Sequence, residues 1–168
     1  MKSNTKFKGE WTFECFDKSG NLKWIEECKN LVVNVGLQHI LDVIFSGGTA
    51  ADPWYVGLTD GTPTVAAGDT MASHAGWAEV TAYDEATRQE WVEVRSNQSM
   101  TNAASKAVFT ISSAATVIGG GILCSLNNKG GSTGTIMSGV AFTGGDKTLD
   151  DDDVLNVTYV FSAADDGA

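Results

Sequence analysis

The chain of 168 residues is 42 % hydrophobic and carries a formal net charge of −10 at pH 7. This length predicts one domain with a sizeable core, and the acidic balance excludes the basic patch that nucleic-acid binding requires. The 19 glycines and 2 prolines favour short strands joined by many flexible turns. The longest apolar runs are too short to span a bilayer, and the start, MKSNTKFKGE, lacks the apolar run of a signal peptide. We expect neither a nucleic-acid nor a membrane partner.

The first eight residues are basic and poor in apolar side chains. They carry Lys2, Lys6 and Lys8, and a segment of this composition buries too little apolar surface to fold alone. We predict that residues 1–8 form a flexible basic arm, which is either a frayed terminus or a segment that orders on a partner. Residues 9–163 are then one domain, and residues 164–168 form an acidic tail.

The segment GEWTFECFD alternates apolar and polar side chains, which predicts a half-buried strand. The turn DKSGN follows and LKWIEEC returns, so residues 9–29 are predicted as a hairpin. Cys15 and Cys28 lie at different distances from this turn, so their sulfurs would be too far apart to bridge. With Cys124, we expect three reduced and partly buried thiols, as in a protein made in a reducing cytoplasm.

The segment NLVVNVGLQHILDVIFSGG changes to helical spacing. Asn34 is a suitable N-cap, and Gly47 and Gly48 end the segment as C-cap residues do. His39 lies beside the apolar face, where we expect a surface or satisfied core histidine rather than a metal ligand. The side chains predicted on the apolar face are Leu37, Ile40, Leu41 and Ile44.

Further strand candidates follow at regular intervals, separated by turns rich in Gly, Asn, Ser or Asp. They are PWYVGLTDG, WAEVTAY, RQEWVEV, KAVFTIS, TVIGGGILCSL, TIMSGVAFT and VLNVTYVFS. Short strands at this spacing predict a mainly β fold, an antiparallel β-sandwich or jelly roll of about eight to nine strands with one short α-helix. The triple glycine of GGGILCS suggests a bulge or a close backbone approach.

Catalytic and metal-binding patterns are missing from the sequence. Ser73 and His74 are adjacent, with Asp69 upstream as a candidate cap of a short helical turn, but neighbouring side chains point apart and no nucleophile motif supports them. The cysteines and histidines do not have zinc-ligand spacing. The run Asp150 to Asp153 lacks the pattern of a calcium loop, although weak cation binding stays open, and we interpret it as a solvated acidic turn. We predict no enzyme activity, no catalytic residue, no cofactor and no metal.

The stretch WYVGLTDGTPTVAAGDTMASHAGWAEVTAYDEATRQEW, residues 54–91, resembles a family of small virion proteins of tailed bacteriophages. Those proteins share a W-Y-x-G-L strand, an A-A-x-D-T-M-x-S-H-A-G-W-x-E segment and a Y-x-E-A-x-R segment. The opening hairpin with its N-L-V sequence and the C-terminal strands are also similar to that family, so the resemblance covers most of residues 10–162. It implies that DTMASHAGW connects two strands, with Trp77 as a core anchor and without a catalytic role.

The resemblance implies a structural protein on the exterior of a phage capsid, made in the bacterial host cytoplasm. We expect a homo-oligomeric cement or decoration protein whose partners are the major capsid protein and its own copies. The candidate interface residues are Lys2, Lys6, Lys8, Trp11 and Trp54. A tail or fibre component and a carbohydrate-binding sandwich with exposed tryptophans are the alternatives. The sequence leaves open the oligomer symmetry, the host and the face that meets the shell.

Overall fold

Fourteen strands and one helix occupy residues 5–165, the part of the chain that the computed structural model describes. All strand pairings are antiparallel, in two six-stranded sheets and a two-stranded ribbon. The elements are β1 (Thr5–Phe16), β2 (Leu22–Lys29), β3 (Leu31–Val32), α1 (Asn34–Phe45), β4 (Tyr55–Thr59), β5 (Glu79–Val80), β6 (Gln89–Glu90), β7 (Val94–Ser96), β8 (Ser99–Thr101), β9 (Ala107–Thr110), β10 (Thr116–Ile118), β11 (Gly120–Cys124), β12 (Ile136–Ala141), β13 (Lys147–Leu149) and β14 (Val154–Asp165). The predicted mainly β sandwich with one helix is confirmed, and the jelly-roll connectivity stays a prediction. The predicted number of eight to nine strands is too low for the described residues, because segments such as RQEWVEV and TVIGGGILCSL each divide into two strands that join different sheets or ribbons.

The first sheet, sheet A, has the order β2-β1-β14-β8-β7, and β9 also pairs with β14. The predicted hairpin is β1 and β2, with the register Cys15↔Trp24 and Trp11↔Cys28. The alternation in the sequence matches the burial, because Trp11, Phe13 and Cys15 are buried while the residues between them are half-exposed. Period-two patterning therefore fixes which face of β1 enters the core.

The prediction of a flexible arm is wrong for residues 5–8. They begin β1 and pair with the end of β14, in a register that starts at Thr5↔Asp165. The physical reason is a non-local partner, since the last strand supplies the backbone hydrogen bonds and Phe161 supplies a ring that stacks on Phe7 at 5.7 Å between centroids. β14 likewise continues past residue 163 into the predicted tail. Lys2 and the rest of residues 1–4 and 166–168 lie outside the described residues.

The second sheet, sheet B, has the order β3-β12-β11-β4-β5, and β6 also pairs with β4. Its inner face packs against sheet A, and the main core lies between the two sheets and includes Phe13, Leu58 and Tyr159. Its outer face carries a second, smaller core, which includes Ile122 and Cys124. Every residue of β11 is buried, because a central strand covered on both faces has no side that remains in water.

The triple glycine marks a close backbone approach, as the sequence suggested. A Cβ on Gly120 would collide with the carbonyl oxygen of Val140 on the neighbouring strand, and one on Gly121 would meet the Phe13 ring at 3.1 Å. The predicted strand TVIGGGILCSL is divided at Gly119, because β10 pairs with β13 while β11 belongs to sheet B. Two further strands, β8 and β13, lie in segments that the sequence had predicted as turns.

The helix occupies Asn34–Phe45, and its C-terminal end is as predicted. Gly47 adopts a left-handed φ of 68°, and the Gly48 amide donates to the Asp42 carbonyl oxygen at 2.9 Å. The prediction of Asn34 as N-cap is wrong, because Val33 occupies the cap position without a side-chain hydrogen bond. The helix packs on β12 through Gly36, where a Cβ would lie 2.5 Å from the Met137 carbonyl oxygen.

All three cysteines are buried free thiols, as predicted. Burial raises the pKa of Cys15 to about 12 and that of Cys124 to about 11, so both remain protonated at neutral pH. They serve as small apolar side chains in the two cores.

A buried ion pair holds the loop before β12 to sheet B. The Arg88 guanidinium, with a fully buried side chain, donates two hydrogen bonds to the Glu79 carboxylate at 2.8 and 2.6 Å. It also donates to the carbonyl oxygens of Leu126 and Gly131 at 2.8 and 2.7 Å. The Gly130 amide donates to the same carboxylate at 3.0 Å. Arg88 thus supplies hydrogen-bond donors to backbone carbonyl groups of a glycine-rich loop that has few apolar side chains of its own to bury.

Replacing Arg88 by Met should lower the free energy of unfolding by about 3–5 kcal/mol, because it leaves the Glu79 carboxylate buried without its partner. The matched control is Arg95→Met, since Arg95 lies exposed on β7; that change should stay within about 0.5 kcal/mol. Urea denaturation of the three proteins measures both values. Equal stability of the two variants would contradict the role assigned to the ion pair.

Candidate interaction surfaces

The segment at residues 63–77 covers the outer face of sheet B. Met71 and Trp77 from this segment are 1 % and 6 % exposed and pack in the second core with Ile122. The Asp69 carboxylate accepts hydrogen bonds from the Ala66 amide at 2.9 Å and from the Trp77 indole at 3.0 Å. These bonds tie the two ends of the segment together, so that it closes over the sheet. The resemblance implied a core anchor at Trp77, and its burial confirms this.

His74 is part of the same cover. Its ring stacks on Trp77 at 3.6 Å between centroids, and its Nδ1 lies 3.0 Å from the Trp77 carbonyl oxygen. Since that oxygen can only accept, Nδ1 carries the proton in this contact. Asp69 does not cap a helical turn as predicted, because its carboxylate is turned towards Ala66 and Trp77. Within residues 5–165, no hydrogen bond joins Ser73 to His74, and the absence of enzyme activity stays a prediction.

Changing Trp77 to Ala should lower the free energy of unfolding by about 3–5 kcal/mol, because it empties the centre of the second core. The control Ser73→Ala removes only an exposed hydroxyl and should shift stability by less than about 0.5 kcal/mol. Thermal denaturation distinguishes the two. An unchanged melting temperature for Trp77→Ala would show that residues 63–77 are not needed to cover the sheet.

The acidic turn at Asp150 to Asp153 is only partly solvated. Asp153 is 2 % exposed and accepts a hydrogen bond from Lys23 at 2.6 Å, while Asp150 accepts from the same ammonium group at 2.9 Å. The hydrogen bond to Asp153, and then that to Asp150, raises the pKa of Lys23. The turn is therefore tied to β2 by a cation from the protein itself. In the described part of the chain, no group of three or more His, Cys, Asp or Glu side chains is placed to hold a metal ion.

The predicted lysines form a small basic surface. Lys6 and Lys8 are exposed on the outer face of β1, with exposed Lys29 nearby on β2, opposite Glu10. Among the described side chains none of these three lysines forms an ion pair, whereas Lys23, Lys106 and Lys147 do. We call Lys6, Lys8 and Lys29 the basic end of sheet A. It is one of few places where this acidic chain offers positive charge to a partner.

The predicted tryptophan anchors are not exposed. Trp11 is 1 % exposed and packs on Tyr159 at 4.3 Å between centroids, so its assignment to an interface is corrected to the main core. Trp54 is 9 % exposed and meets the His39 ring edge-on at 5.5 Å. The His39 Nε2 accepts a hydrogen bond from the Ala51 amide at 3.3 Å, which makes this histidine a structural residue, as expected.

Trp54 instead lines two shallow apolar grooves at one end of the sandwich. The first, of about 210 Å³, also contains Trp91, Met100 and Phe161, and its charged lining residues are Asp52 and Glu93. The second, of about 240 Å³, lies between Trp54 and α1 and includes Ile40 and Ile44. Both contain Ala51 and Met137, so they are continuous.

Beside these grooves lies an exposed apolar face that the sequence analysis missed. Leu41, Ile44 and Phe45 are 53 %, 62 % and 77 % exposed. The helical spacing placed Leu41 and Ile44 on the apolar face of the helix, and the structure leaves this part of that face uncovered. The helix meets β12 closely at Gly36 in its first turn. In its later turns the half-buried residues Ile40 and Val43 line the groove beside Trp54, and the side that carries Leu41 and Phe45 is left exposed. We call Leu41, Ile44 and Phe45 the helix face.

No helix in the described residues is long and apolar enough to cross a membrane. No protein-family model matches the chain, and no curated protein matches it.

Proposed function

We propose that the chain is a structural protein of a tailed-phage virion, a cement protein that binds the capsid exterior and stabilises contacts between major capsid subunits. The single structural observation that carries the proposal is that one sandwich presents two exposed surfaces of different chemistry, the basic end of sheet A and the helix face. A cement protein needs at least two separate contacts, which are with two shell subunits or with one shell subunit and a neighbouring copy of itself. The resemblance of residues 54–91 to small virion proteins gives the proposal its phage context.

The proposed mechanism is physical rather than chemical. Each exposed ion pair contributes roughly 0.2–1 kcal/mol, which is too little for a single lysine to hold the protein on a shell. Several contacts made at once raise the effective concentration of each remaining contact, so the assembly is retained although every contact is weak. The charge of the basic end of sheet A is complementary to an acidic surface on a partner, which in this proposal is the major capsid protein.

A tail or fibre component is the second candidate, because a protein in that position also needs exposed surfaces that bind neighbouring virion proteins. The carbohydrate-binding alternative has less support, since Trp11, Trp54, Trp77 and Trp91 are at most 9 % exposed, and the fifth tryptophan, Trp24, is half-buried beside Phe142. A flat, exposed indole face is therefore not offered by these four residues.

Counting copies in the virion tests the location. A cement protein should cover the whole shell in numbers comparable with the major capsid protein, and a density map of the particle should show it outside the shell. Quantitative mass spectrometry of purified virions gives the ratio of the two proteins. A few copies per particle, located at the tail, would replace the cement proposal with the tail proposal.

The double variant Lys6→Glu/Lys8→Glu should bind shells more weakly than the natural protein, because it reverses the charge of the basic end of sheet A. Binding of the natural protein should weaken as salt rises, since salt screens exposed charges. Co-sedimentation with shells that lack the protein, over a salt series, measures both effects.

The control is Lys18→Glu, which reverses an exposed lysine in the turn at the other end of β1. Substitution is preferred to deletion of residues 1–8, because deletion would remove Phe7 and the first rungs of β1. Equal retention of the double variant and the control would exclude the basic end of sheet A from shell binding.

A further inference from the structure

We propose that the helix face is a contact between two copies of this chain, in which α1 of one copy packs against α1 of its partner around a two-fold axis. The proposal concerns self-association and does not depend on the shell. It says which surface covers the largest exposed apolar side chains of the helix, namely the same side chains of a second copy.

The helix face has the geometry of a packing surface. Leu41, Ile44 and Phe45 are spaced i, i+3 and i+4, so their side chains lie on one side of the last two turns. Gly36 holds the first turn against the Met137 backbone, whereas Leu41, Ile44 and Phe45 in the later turns are each more than half exposed. The neighbouring groove between Trp54 and α1 is also apolar. The apolar surface is therefore continuous from the helix to the end of the sandwich.

The charge distribution favours a second copy as the occupant. Between residues 34 and 51 the only charged side chain is Asp42, in a chain whose net charge is −10. Two copies repel each other over most of their surface, and the repulsion is weakest where the charges are fewest. A strongly basic or strongly acidic partner would find almost no complementary charge here. An identical uncharged face is complementary to itself in a two-fold contact, which places the same residues on both sides.

The size of the surface predicts a weak dimer. The three side chains together expose on the order of 400 Å² of apolar surface, inside the range of about 300–600 Å² of the largest patches on monomers. Both copies together would then bury on the order of 800 Å² through these side chains, less than the roughly 1,200–2,000 Å² of stable interfaces. We therefore expect a dissociation constant in the micromolar range or weaker. Where many copies are held side by side, their high effective concentration still keeps so weak a contact occupied.

Sedimentation equilibrium of the full chain over a range of concentrations tests the proposal. The natural protein should show a reversible monomer–dimer equilibrium. Ile44→Glu should raise the dissociation constant about tenfold or more, since the two-fold axis brings a carboxylate from each copy into an apolar contact. Higher salt should strengthen the dimer because it screens the repulsion between two acidic copies. The basic end of sheet A predicts the opposite salt dependence for shell binding.

The matched control is Ile25→Glu, because Ile25 is 50 % exposed on β2, away from the helix. It should leave the dissociation constant unchanged, and both variants should keep the melting temperature of the natural protein within a few degrees. A protein that stays monomeric at every concentration would overturn the proposal. So would a dimer that Ile44→Glu does not weaken, or one that Ile25→Glu weakens equally. These outcomes leave the shell-binding result of the Lys6→Glu/Lys8→Glu variant unaffected, so the two proposals fail separately.

Discussion

The pairing of the first strand with the last is the constraint on which the rest of the structure depends. β1 and β14 run antiparallel from Thr5↔Asp165 to Phe16↔Val154, and β14 also pairs with β8 and β9. Without this pairing the β1–β2 hairpin would be detached from the rest of sheet A, because among the described strands β2 pairs only with β1, and β1 pairs otherwise only with β14. Sheet A is therefore complete only when β1 and β14 are paired.

Tyr159, at the middle of this pairing, joins the two sheets. Its ring lies 4.3 Å from that of Trp11 and 5.5 Å from that of Trp91. Its hydroxyl accepts hydrogen bonds from Asn30 at 2.9 Å and from Ser138 of β12 at 3.1 Å. Burial raises the pKa of this hydroxyl, which stays neutral at ordinary pH. Because buried polar groups need partners, these bonds also fix how β12 lies against sheet A.

The second constraint is that sheet B must be covered on both of its faces. Its central strands are apolar on both faces, so the outer face needs a cover, and residues 63–77 supply it. That cover and the helix both lie against sheet B, but only the cover has its largest apolar side chains, Met71 and Trp77, buried. The later turns of α1 remain apolar and exposed, while the charge of the chain is concentrated elsewhere. An exposed surface of this kind is the expected sign of a contact with another protein.

The sequence by itself determined the features that depend on the local backbone. The hairpin at residues 9–29 and the end of the helix just before Gly47 follow from side-chain period and glycine conformation, which act within a few residues. The close approach at Gly120 and Gly121 was also visible, because a run of glycines in an apolar strand has few other causes.

Only the tertiary structure decided what lies opposite each of these elements. Lys6 and Lys8 belong to a strand because β14, far along the chain, provides the hydrogen-bond partners. Trp11 is buried because Tyr159 and sheet B lie over it, although its alternation could not distinguish a core from an interface. The periodicity of α1 showed which side of the helix is apolar, but whether that side is covered depends on where the helix meets β12. Periodicity is a property of one segment, whereas burial is a property of two surfaces that meet.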